Sequence, residues 1–98
     1  MRAILLRTDM NDAEKAAKVL QALMAAEREP PGIALPMLTA LVSLVQADGV
    51  EPVEVEEARA SAFMAICEIG KALHRGQPAD RLWESAIAAT ERWKSLAK

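Results

Sequence analysis

Few residues in this chain have the chemistry of a catalyst. His74 is the only histidine and Cys67 the only cysteine. A nucleophile and its base must share a proton across a hydrogen bond, whereas the spacing of these two puts them about 10 Å apart along one helix. Ser43, Ser61, Ser85 and Ser95 fall in helical patterns, away from the strained Gly-x-Ser-x-Gly turn that exposes a nucleophilic hydroxyl. Gly32, Gly49, Gly70 and Gly76 stand singly, so there is no glycine-rich loop to cradle a phosphate. The sequence predicts no enzyme, no catalytic residue and no cofactor, with Cys67 a small buried hydrophobe in a reducing compartment.

The strongest charge feature is the acidic run Asp48, Glu51, Glu54, Glu56 and Glu57, with no basic residue until Arg59. Carboxylates at a helix start satisfy free amides and complement the helix dipole, which is the structural reading of this run. Two functional readings stand beside it. Glu51, Glu54 and Glu57 would offer a docking surface to a basic partner, or Asp48, Glu51 and Glu54 would hold a hard cation. Leu38 to Ala47, followed by Asp48, Gly49 and a Glu-rich helix start, resembles the helix, Ala-Asp-Gly, acidic-helix step of TerB-like domains. That resemblance implies a helical fold with links to stress resistance and metal binding.

Net charge is −2, with both signs mixed along the chain, so no basic stripe exists to neutralise a phosphate backbone. A DNA-binding repressor is the third reading, and it meets acidic residues where a recognition helix would approach phosphates. Arg2 to Arg7 encloses an apolar run too short for a secretory core. The stretch Ile33 to Val45 carries Pro36, Thr39 and Ser43 and suits a buried helix better than a membrane span. A cytoplasmic chain that binds no membrane is expected.

The elements that position these residues are helical. Apolar residues make up 52% of the 98 positions but aromatics only 3%, and alanine, the best helix former, fills the difference. No stretch alternates long enough for a sheet. A first helix is predicted from Asp12 to Glu29, opened by a capping box of Asn11 and Glu14 and ended by Pro30, Pro31 and Gly32. Its expected stripe is Ala13, Ala16, Ala17, Leu20, Leu23 and Met24. A second runs from about Pro36 to Gly49 and is apolar nearly all round, which places it at the centre of the bundle. The third spans Pro52 to Arg75 and is capped by Gly76; its stripe is Val55, Ala58, Ala62, Ile66, Ile69 and Leu73. The fourth runs from Pro78 to Leu96 and forms an antiparallel hairpin with the third, because the break between them is short. Residues 1–9 fit a short edge strand, a helical extension or a flexible tail.

The expected architecture is thus a single all-α domain, a compact bundle of three to four helices. A chain this short buries a modest fraction of its surface, and its mean hydropathy is positive at +0.07. A homodimer is the consequence. Leu82, Ala86, Ala89, Trp93 and Leu96 repeat at coiled-coil spacing on the fourth helix. Trp83 and Trp93 lie about 80° apart around its axis, so that one indole would face the core and the other a partner. Trp83, Ile87, Trp93 and Leu96 are the predicted anchors of the dimer seam. By elimination, the function expected is that of a non-catalytic protein-protein interaction module. It would be a small regulator, adaptor or inhibitor that occupies a partner protein's surface, of the kind mobile elements often encode.

Overall fold

The computed structural model describes residues 11–46 and 51–97. Among them are four α-helices and no strand: α1 (Asp12–Ala26), α2 (Pro31–Leu41), α3 (Val53–His74) and α4 (Asp80–Ala97), with a 3₁₀ turn, Val42–Val45, continuing α2. The chain is an all-α bundle. The expectations for residues 1–9 and for Gly49 as a helix stop fall outside the described residues.

α1 begins where its capping box requires. Glu14 N donates to Asn11 Oδ1 at 2.9 Å and Asn11 N donates to Glu14 Oε1 at 3.1 Å, which satisfies two otherwise free amides. It ends at Ala26, earlier than predicted, because Glu29 precedes Pro30 and is pushed out of the helical region. Arg28 N and Glu29 N instead fold back onto Ala25 O and Ala26 O at 3.3 and 3.0 Å. The buried stripe is also rotated from the predicted one. It runs Asp12, Ala16, Val19, Leu23, Ala26, and it starts on a carboxylate, a residue type that hydrophobic periodicity does not count.

α2 differs most from expectation. Pro31 opens it at the first helical position, where a missing N–H costs nothing, and Pro36 sits inside it, leaving the carbonyl of the exposed Gly32 without its helical partner. The helix then tightens into the 3₁₀ turn. Only Ala34, Leu38, Leu41 and Val45 are buried, while Ile33, Pro36, Thr39 and Ala40 are exposed. The second helix touches α1 and α3 along that single face, and the helix packed along both α1 and α3 is α4.

α3 matches its predicted bounds to within a residue at each end. At its close Gln77 N donates to Ala72 O at 2.8 Å and Gly76 N to Leu73 O at 3.2 Å. This is the pair of bonds of a Schellman cap, and it needs Gly76 at a φ of 70°. The turn sends α4 back along α3 as the expected hairpin. On α4 the buried residues are Trp83, Ala86, Thr90 and Trp93, preceded by Ala79. The Thr90 hydroxyl donates to Ala86 O at 2.8 Å, so its polar atom is satisfied inside the core.

A β-carbon added at Gly76 would meet nothing within 4 Å, so the cost of substitution is conformational rather than steric. Gly76→Ala is expected to lower stability by about 1 kcal/mol in a urea melt, with Gly76→Asn milder.

Candidate interaction surface

The groups able to do chemistry are scattered. Cys67 is half-buried and His74 exposed, both on α3 and two turns apart. Ser61, Ser85 and Ser95 are exposed, and the Ser43 hydroxyl turns back to Ala40 O at 3.5 Å. Among the described residues no group of three histidine, cysteine or acidic side chains is placed to hold a metal ion. Asp48, and with it the Asp-Gly step of the TerB resemblance, lies outside the described residues.

The structure divides the acidic run. Glu54 and Glu57, three apart in the first turns of α3, are exposed, and Glu51 just before the helix is half-buried. Glu56 turns the other way. Its Oε1 accepts from Arg59 Nε at 3.1 Å and lies 3.0 Å from Nη2, while Arg59 Nη1 donates to Val45 O at 2.6 Å. Arg59 thus ties the end of the 3₁₀ turn to the start of α3, and Glu56 holds Arg59 in place. Val53 stands beside the outward carboxylates with 73% of its surface exposed.

Of the four predicted seam residues, the two indoles lie in the interior of the single chain. Trp93 is fully buried and Trp83 is 6% exposed, while Ile87 and Leu96 are half-buried at the edges of the core. The expectation that one indole faces outward is corrected here. α4 is flanked on two sides, by α1 and α3, so side chains 80° apart on its circumference both find interior. Trp93 Nε1 donates to Asp12 Oδ2 at 2.9 Å, and Asp12 is itself only 2% exposed. Lys15 Nζ lies 4.0 Å from the other oxygen. Asp12 was invisible as a core residue from its type, although its position continues the Ala16, Val19, Leu23 spacing backward by one turn.

An apolar edge of α1 also lies outside the core. Ala13, Ala17 and Leu20 are half-buried and Met24 is exposed. Leu20 forms a shallow, open depression of about 420 Å³ with Glu91, Lys94 and Ser95 of α4. A neighbouring one is lined by Ala17, Lys18, Leu20, Gln21, Met24 and Lys94. No described helix is long and apolar enough to cross a membrane. No protein-family model, curated protein or solved structure matches the chain.

Removing the Asp12 carboxylate leaves a buried indole N–H without an acceptor, which costs about 1–3 kcal/mol. Asp12→Ala is therefore expected to destabilise by that amount in chemical denaturation, and Asp12→Asn by less, since an amide oxygen still accepts. In a Trp93→Phe background the Asp12→Ala penalty is expected to shrink, and a double-mutant cycle measures the coupling.

Proposed function

We propose that the chain is a non-catalytic protein-protein interaction module, a small regulator, adaptor or inhibitor that works by occupying the surface of a partner protein. Its partners include a second copy of the chain. The observation that supports this reading is the start of α3, where Val53 is 73% exposed beside the outward carboxylates Glu54 and Glu57. An apolar side chain framed by like charges serves a binding surface: the apolar group gains from desolvation and the carboxylates select a basic partner. Glu56, held inward by Arg59, belongs to the scaffold of this surface and not to its contact face.

A photo-crosslinking residue in place of Val53, expressed in the native host, tests the reading. The expected result is one discrete protein adduct, lost when Glu54→Lys and Glu57→Lys are combined and weakened by raised salt, because exposed charges are screened. No adduct from position 53 would count against it. So would turnover of a substrate by the purified chain that His74→Ala or Cys67→Ala abolishes.

A further inference from the structure

α1 carries two apolar stripes, and the described residues bury one of them fully. The first, Ala16, Val19, Leu23 and Ala26, continues from Asp12 into the core. The second, Ala13, Ala17, Leu20 and Met24, repeats at i, i+4, i+7 and i+11, the spacing by which one helix seats its side chains between those of another. The described helices cover it only in part: Ala13, Ala17 and Leu20 stay half-buried, and Met24 keeps 49% of its surface exposed. The two alanines near its start let another backbone come close. On α4, Ile87, Glu91 and Lys94 follow at i, i+4 and i+7 along one edge, and Glu91 and Lys94 border the same depression as Leu20.

The charges around this stripe select its occupant. Lys18 of α1 and Lys94 of α4 stand beside the apolar floor, with the exposed Glu91 on the α4 side. A uniformly basic partner would meet the two lysines, and a uniformly acidic one would meet Glu91. Because this rim carries both signs, a second copy turned by a two-fold axis, the commonest symmetry of soluble oligomers, supplies lysines for Glu91 and carboxylates for the lysines. We propose that two copies of the chain pair through this face, with the Ala13, Ala17, Leu20, Met24 stripe of one α1 against that of the other and Glu91 of each copy meeting lysines of the second. This rests on the reading that a second copy is among the chain's partners. It moves the dimer seam from the buried indoles of α4 to the open edge of α1.

Sedimentation equilibrium at micromolar concentration is expected to give a particle of twice the 10.6 kDa chain mass. Met24→Glu, at an exposed position, is expected to raise the dimer dissociation constant roughly tenfold or more. Met64→Glu, on α3 and 61% exposed, serves as the control and should leave it unchanged. Glu91→Lys and Lys94→Glu are each expected to weaken pairing, and the double variant to restore it, which keeps the test decisive if Met24→Glu fails to fold. A dimer indifferent to Met24→Glu and to both charge changes overturns the α1 face while leaving self-association standing. A single-copy particle at every concentration overturns both, and a crosslink from Val53 to another protein would be unaffected by either result.

Discussion

A carboxylate held away from water joins the first helix to the last. Burying such a group is expensive unless its oxygens are met by donors or positive charge, and three features of the chain supply them. The indole N–H of Trp93 donates to Asp12 Oδ2 at 2.9 Å, and Lys15 approaches the other oxygen at 4.0 Å. The first turn of α1 adds the positive end of the helix dipole. Because the acceptor is fixed by the Asn11 and Glu14 capping box, the indole has a defined place to go, and α4 is set in rotation about its own axis. With Trp93 turned toward Asp12, Trp83 is carried into the interior as well.

That arrangement explains how a core with so few aromatic residues is filled. Two indoles supply bulk on the helix that packs along both α1 and α3, and alanines supply close approach: Ala16, Ala62 and Ala86 have no exposed surface. Small against large is what interior packing demands. Among the described residues the core closes without drawing on the outer edge of α1 or on the tip of α3.

Helix ends marked by local chemistry were legible in the sequence. The capping box fixes the start of α1, and Pro52 and Gly76 bracket α3, because each acts through bonds to its immediate neighbours. Where two signals compete the reading fails. Pro30, Pro31 and Gly32 look like a breaker cluster, yet Pro31 is at home in a first turn and opens α2, while Pro36 is tolerated inside a helix whose outer face is wet. The site was less legible than the fold for a geometric reason. Periodicity gives the angle between Trp83 and Trp93 but not the number of neighbours around α4, and the second neighbour decides whether the outward indole exists. In the same way Glu54, Glu56 and Glu57 are alike in type, and only the position of Val45 O, reached by Arg59, separates the inward carboxylate from the exposed pair.

The partners in the Asp12–Trp93 bond lie 81 positions apart along the chain, and this bears on the order in which the molecule is assembled. The α3–α4 hairpin is a local structure that can form from neighbouring sequence. α1 is translated well before the group that covers its carboxylate, so a nascent chain complete only through α3 still presents Asp12, Val19 and Leu23 without the indole that covers the carboxylate. The core is finished only when α4 arrives. Until then α1 waits for a cover that lies far along the chain from it.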